Sequence, residues 1–178
     1  VEHMAGVIRL TDATVFGTEP NAFLRAIAPR LPFGRALCLG EGAGRNAVFL
    51  AERGLAVTAV DASAPELQKA RRLATAGGVS IDTVTVDPCD YLMASDHWDV
   101  IVLLFVHVSA AQRRIVHAQA AQGLRTGGAL VLEGLAPVPE ESKDNQHLLA
   151  LGDLHDEFAT LDPGFVANCW RELDDGLQ

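Results

Sequence analysis

The chain has 178 residues, 49% of them hydrophobic and 21% charged, the composition of one globular domain large enough to bury a core. Fourteen basic against twenty-three acidic residues give a net charge of −9, so its general field repels nucleic acid and anionic membranes, and neither is expected as a partner. Cys38, Cys89 and Cys169 are odd in number, far apart and in apolar contexts, and their spacing matches no zinc pattern; they read as buried free thiols in a reducing compartment. No apolar run approaches 18 residues and no secretory pattern is present, so a cytoplasmic protein is expected, with Met4 as its natural start after a remnant Val1–His3.

Residues 1–15 read as an N-terminal arm. Pro20–Leu31 is a first helix with proline in its first turn, Ala36–Leu39 a first strand and Gly44–Arg53 the helix after it. Leu55–Val60 is a second strand. Ser63-Ala-Pro-Glu66 has the form of a capping box and opens a helix to Ala76, which Gly77-Gly78 ends. Ser80–Val86 is a third strand, and Trp98–Phe105 a fourth, apolar throughout and therefore buried on both faces. Ser109-Ala-Ala-Gln112 is a second capping box, starting a helix to Leu124 that Thr126-Gly-Gly128 breaks. Ala129–Leu135 is a fifth strand, Pro137–Gln146 a polar loop, Leu148–Leu161 an amphipathic helix and Phe165–Leu173 a sixth strand. Strands alternating with helices predict an α/β fold, a doubly wound and mainly parallel sheet covered on both faces.

The chemistry gathers around the first strand. Gly40, Gly42 and Gly44 alternate directly after it, where they let the backbone turn sharply and approach a ligand. The helix beyond offers free N–H groups to an anion. Asp61 lies 21 residues after Gly40 at the tip of the second strand, where a carboxylate can accept both hydroxyls of a ribose. An adenosine-containing cofactor follows, but the spacing alone leaves its kind open. In the dinucleotide fingerprint G-x-G-x-x-G/A, counting from Gly40 ends on Arg45 and fails, whereas counting from Gly42 ends on Ala47 and passes. Arg45-Asn46 suits a methionine-type tail better than a pyrophosphate, which wants a bare helix end. Arg45 could pair with a single carboxylate or simply solvate the helix start. In a doubly wound sheet the ligand sits beyond the carboxyl ends of the strands. That end also collects Asp87 after the third strand and Phe105 to His107 after the fourth.

These residues resemble a class I S-adenosylmethionine-dependent methyltransferase, and within that class the small tellurite-resistance and thiopurine methyltransferase-like group. Four segments carry the resemblance: Phe16-Gly-Thr-Glu-Pro-Asn21, Leu37–Ala51 with Gly-Glu-Gly-Ala-Gly-Arg-Asn-Ala at its centre, Val57–Ser63, and Leu124-Arg-Thr-Gly-Gly-Ala-Leu-Val-Leu-Glu133. It implies a Rossmann-like single domain: the arm at 1–15, a cofactor-covering segment and helix at 16–34, a cofactor-binding core at 35–135, and an acceptor-side loop, helix and last strand at 136–178. It implies S-adenosyl-L-methionine as cofactor, with Phe16 over it, Gly40, Gly42 and Gly44 along the methionine portion, and Glu41, Arg45 and Asn46 beside them. Asp61 then takes the ribose hydroxyls, Ala62 flanks the adenine, Asp87 accepts from its amino group and Pro88 packs on the ring. Phe105 and His107 sit near the sulfonium and the acceptor. The chain departs from the group at Cys38, where many members carry an acid; an outer contact is expected to be missing there. The acceptor loop is replaced by Pro137–Asp144, and the region matching the group's hairpin, Glu172–Gly176, is followed by no antiparallel strand. The sixth strand is therefore an expected open edge, offering a route to a homodimer.

The expected function is methyl transfer to a small molecule, a thiol or a chalcogen oxyanion, with proximity supplying most of the acceleration. A soft, ionised nucleophile needs little base assistance; for others His107 is the candidate base, with a packing or hydrogen-bonding role as its alternative. An NAD(P)-dependent oxidoreductase and a non-catalytic adenosyl-binding protein remain the alternatives. His147, Asp153, His155 and Asp156 suggest a metal, but they form no compact ligand pattern and read as a solvated acidic helix; no metal is expected. His3, His97 and His117 carry no signal. Neither G-x-S-x-G nor a Walker loop occurs, which argues against hydrolase and nucleotidase chemistry.

Overall fold

The computed structural model of the protein describes residues 6–11, 19–135, 149–161 and 163–168. In chain order these form β1 (Gly6–Thr11), α1 (Ala22–Ile27), β2 (Arg35–Leu39), α2 (Arg45–Glu52), β3 (Ala56–Asp61), α3 (Ala64–Ala76), β4 (Asp82–Thr85), β5 (Trp98–Leu104), α4 (Ala110–Gly123), β6 (Leu124–Leu135), α5 (Leu151–Glu157) and β7 (Pro163–Asn168). The sheet has seven strands in the order β4-β3-β2-β5-β6-β1-β7. Every pairing among the described residues is parallel. The expected doubly wound α/β fold is therefore what forms.

A parallel sheet needs both faces covered, and the two-residue period of the central strands provides for this. Ala36 and Cys38 of β2, with Val100, Val102 and Leu104 of β5, pack in one cluster with Leu24 of α1, Leu50 of α2 and Leu67 of α3. Their neighbours Leu37, Leu39, Ile101 and Leu103 pack in a second cluster with Val116 and Ala120 of α4 and Leu154 of α5. Each such fully buried leucine, valine or isoleucine contributes roughly 1.5–3 kcal/mol, which anchors the strands whose tips carry the site.

Local chemistry explains the element ends. Ser109 caps α4 in a complete box, its hydroxyl accepting from Gln112 N while Gln112 receives the Ser109 amide. At α3 the box is only half made. Ser63 Oγ accepts from Glu66 N, but the Ser63 amide goes to Asp61 Oδ1 at 2.8 Å, leaving Glu66 to turn toward Lys69.

Several segments differ from the sequence reading. The arm at residues 1–15 contains β1, which joins the sheet beside β6. The first helix is shorter than Pro20–Leu31, because Ala28–Arg30 tightens to a 3-10 turn at Pro29. Gly127-Gly128 does not stand between helix and strand but lies inside β6, where pairing with β5 shifts register between Trp98 and Val100. A Cβ on Gly128 would come within 3.1 Å of the Trp98 and Asp99 carbonyl oxygens, so a side chain has no room at this bulge. The helix expected over Leu148–Leu161 is confined to Leu151–Glu157, and the sixth strand runs over Pro163–Asn168, parallel to β1. Pro137–Gln146, Cys169 and the rest of the expected strand to Leu173 lie outside the described residues. No helix among the described residues is long and apolar enough to cross a membrane.

Candidate functional site

The strand order reverses between β2 and β5, so the loops leaving their carboxyl ends diverge and open a crevice. A cleft of about 410 Å³ lies there. Gly40, Glu41, Gly42, Arg45 and Asn46 wall it from the turn and the start of α2, Glu66 from α3, and Leu104, Phe105 and His107 from the end of β5. Its size falls in the range of small-molecule sites, roughly 300–1,000 Å³.

Glu41 organises the turn. Its Oε1 accepts from Asn46 N at 2.9 Å and Ala47 N at 2.7 Å, so two of the α2 amides expected to be free for a ligand anion are already taken by the protein's own carboxylate. Burial pushes the Glu41 carboxyl from its ordinary 4.5 up to about 7, although the Ala47 and Asn46 amides, Arg45 and a hydrogen bond from Cys38 all pull it down. Burial, and then the adjacent Glu41, push the Cys38 thiol well above its ordinary value. The contact expected to be missing at Cys38 is thus supplied from the loop above it. Asn46 reaches outward, its Oδ1 accepting from Asn21 N at 2.8 Å, while Asn21 Nδ2 donates to Glu133 Oε2 at 2.5 Å and its Oδ1 caps α1. Arg45 donates to the Glu19 carbonyl at 3.0 Å, tying the end of the expected covering segment to α2. Phe16 lies outside the described residues.

Gly42 and Gly44 do different work. Gly42 has φ +61° and nothing within 4 Å of where a Cβ would stand, so it leaves open space at the cleft wall. Gly44, at φ +91°, faces α3: a Cβ would meet Ala70 Cβ at 2.4 Å, so this glycine permits helix packing rather than lining the cleft. Asp61 stands at the tip of β3 with Oδ2 held by Gly42 N and Oδ1 by Ser63 N, both at 2.8 Å. Two backbone donors fix the carboxylate's direction and leave it further acceptor capacity. Ala62 is exposed beside it. Asp87 is exposed and caps its own turn through Cys89 N at 2.8 Å, and Pro88 is half-buried next to it.

Phe105 holds the left-handed φ of +55°, a strained conformation for a bulky residue costing about 1–3 kcal/mol. Its amide donates to the Glu133 carbonyl at 2.7 Å, which holds the strand end against the turn. The kink brings Phe105 and the exposed His107 to both the main cleft and a smaller cavity under β6. Arg113, His117 and Leu149 line that smaller cavity.

His117, silent in the sequence, is part of a buried ionic cluster. Glu157 of α5 receives Arg113 Nη2 at 2.8 Å and lies 2.5 Å from His117 Nδ1, while Arg113 also holds Asp153 at 3.0 Å. The His117 ring stacks on Phe158 with centroids 4.6 Å apart. Burial favours a protonated Glu157, but hydrogen bonds from His117 and Arg113 outweigh it and hold the carboxyl below its ordinary 4.5. Burial lowers His117 from its ordinary 6.5 against the pull of Glu157. Only the pairing of i and i+4 positions Arg113 and His117 on one face of α4 could have pointed to it. Asp153 thus works as an ion-pair partner, and His155 and Asp156 are solvated.

The family model described as a methyltransferase domain matches residues 36–128, more than half of the chain. The chain belongs to this methyltransferase family. A methyltransferase family favours methyl transfer over the nicotinamide alternative. No curated protein matches this methyltransferase chain. Among solved structures it is similar to a protein studied for the conversion of a disulfide bond into a thioacetal group during echinomycin biosynthesis (22% identity, TM-score 0.66, covering 79% of this chain and 68% of that one). It is also similar to the [4+2]-cyclase SpnF (18%, TM-score 0.65, 78% and 54%). A third is an S-adenosylmethionine-dependent methyltransferase from Clostridium acetobutylicum (17%, TM-score 0.51, 62% and 46%). The methyltransferase chain thus spans about half to two thirds of the length of these structures, and at such identities they share its fold alone.

Proposed function

We propose that this methyltransferase transfers the methyl group of S-adenosylmethionine to a small, soft acceptor, a thiol or a chalcogen oxyanion. The observation that carries the cofactor reading is the cleft at the strand switch point, whose walls suit this molecule. Gly42 leaves room where a side chain would stand, and Glu41 and Glu66 offer negative charge to a cationic centre. When bound, the cofactor supplies a methyl group already activated by its sulfonium.

The protein's task is then to hold and orient. Asp61, pinned by two amides, takes the ribose hydroxyls. Ala62, Asp87 and Pro88 flank the adenine. Gly40 and Gly42 bring backbone to the methionine portion, with Arg45 and Asn46 closing that end. Phe105, held by its strained backbone, excludes water from the reacting side, and His107 faces the acceptor, where it can take a proton from an acceptor that arrives un-ionised. The soft-acceptor class rests on the tellurite-resistance and thiopurine-type segments in the sequence. It is consistent with a cleft wall that positions one imidazole and no metal-ligand group of three among the described residues.

Calorimetric titration with S-adenosylmethionine, S-adenosylhomocysteine and NAD tests the cofactor assignment. Micromolar binding of the adenosyl pair, weakened at least tenfold in Asp61→Ala with the fold intact, is expected; binding of NAD instead would overturn it. A panel of thiols, selenite and tellurite set against catechols and amines tests the acceptor class.

A further inference from the structure

Glu41 is the one buried carboxyl in the cleft wall, 8% exposed, and it sits where an α/β protein more commonly binds a ligand's phosphate. The positive end of α2 is answered from within by Oε1 on the Asn46 and Ala47 amides. A phosphate arriving there would find the Asn46 and Ala47 amides taken and would face a carboxylate. A cation would find a carboxylate already oriented by the helix. We propose that Glu41 is the residue that selects the charge of the cofactor, an internal anion that favours the sulfonium form and rejects phosphate-bearing dinucleotides. The inference rests on the cofactor assignment above.

Its surroundings support the assignment. Cys38 of β2 donates to it from below, Arg45 of α2 lies beside it, Glu66 of α3 and His107 after β5 share its cleft, and Asp61 of β3 is held to the same turn through Gly42 N. Burial pushes the carboxyl up to about 7, so entry of a cation, which favours the ionised form, is expected to release protons near neutrality.

The test compares wild type with Glu41→Gln, whose amide oxygen can still accept from Asn46 and Ala47 but carries no charge. S-adenosylmethionine and S-adenosylhomocysteine differ by one methyl and one positive charge, so their affinity ratio reads the charge at Glu41. In Glu41→Gln the affinity for S-adenosylmethionine is expected to fall about tenfold more than that for S-adenosylhomocysteine. Calorimetry in buffers of different ionisation enthalpy should show proton release with wild type and lose it in the variant, separating Glu41 from His107. Glu41→Ser, which bares the helix amides, should gain measurable ADP binding. An unchanged affinity ratio in a folded Glu41→Gln overturns the proposal while leaving the cofactor assignment standing. Failure of wild type to bind either adenosyl compound overturns both.

Discussion

Replacing Gly44 by alanine separates two roles that three alternating glycines share in the sequence. The added Cβ would lie 2.4 Å from Ala70 Cβ and 2.6 Å from Ala70 Cα, against about 3.5–4.0 Å for a relaxed carbon contact. The neighbouring atom is backbone-bound, so α2 and α3 must part by roughly 1 Å, and overpacking of this kind costs about 1–3 kcal/mol. The φ of +91° adds roughly 1–2 kcal/mol for a residue with a side chain. The stiffer unfolded chain returns about 0.4–1 kcal/mol. The expected net loss is therefore about 1–5 kcal/mol, or a melting shift of about 2–4 °C for each kcal/mol in a chain of this size. Gly42→Ala has a similar backbone strain at φ +61° but meets nothing within 4 Å, so it should lose only about 1 kcal/mol. Its methyl, however, enters the cleft and should weaken S-adenosylmethionine at least tenfold. Urea unfolding by circular dichroism and calorimetric titration of both variants give the four numbers. A Gly44→Ala protein as stable as wild type, or a Gly42→Ala protein less stable than Gly44→Ala, would refute the division of labour.

Glu157→Gln should lose about 3 kcal/mol in urea unfolding at pH 7, because it leaves the buried Arg113 charge without the countercharge of its principal partner. The same cluster makes the wild type acid-sensitive. His117 is held below 6.5 and Glu157 below 4.5, so the unfolded chain binds the extra protons in both windows. Stability should fall as pH drops below about 6.5 and again through the carboxylate range, and the second step should vanish in the variant. Asn21→Ala removes the α1 cap and the donor to buried Glu133, and a loss of about 2–3 kcal/mol in thermal unfolding is expected. His107→Ala should slow methylation of a thiol by roughly 10²-fold below the thiol's pKa and by little above it. A uniform loss across pH would reduce His107 to a packing residue.

Local patterns carried most of the core into view. The run from Arg35 through Ala47 announced β2, the turn and α2 because apolar alternation, glycines and a helix start are all short-range signals. Ser109 and Gln112 announced α4 for the same reason. What remained hidden depends on pairing across the chain. β1 is six residues long, and its place is set by Leu130 and Glu133 of β6, more than a hundred residues away. The Arg113–His117–Glu157 cluster joins residues 40 or more apart, so His117 looked inert until α5 docked on α4. Gly127-Gly128 has the composition of a turn, yet it serves close approach between paired strands, a use that composition cannot distinguish. At Cys38 the sequence implied a lost contact, because a side chain reaching back from Glu41 leaves no periodic trace.

That last point bears on how a glycine turn chooses its ligand. The spacing from Gly42 to Ala47 satisfies the dinucleotide fingerprint, and the backbone conformation that spacing encodes does form. The fingerprint works for a pyrophosphate because the helix end beyond it is positive and unoccupied. Here the residue between Gly40 and Gly42, just ahead of that fingerprint, is Glu41, and its carboxylate closes the Asn46 and Ala47 amides. The same turn consequently presents a negative wall where its relatives by spacing present a positive one. A dinucleotide would have to displace Glu41 into the buried surface around Cys38 or bind beside it, and both are costly for like charges in a poorly solvated site. The glycines fix where the backbone goes. The side chain between them decides which charge the cleft will accept, and in this chain that charge agrees with the family to which residues 36–128 belong.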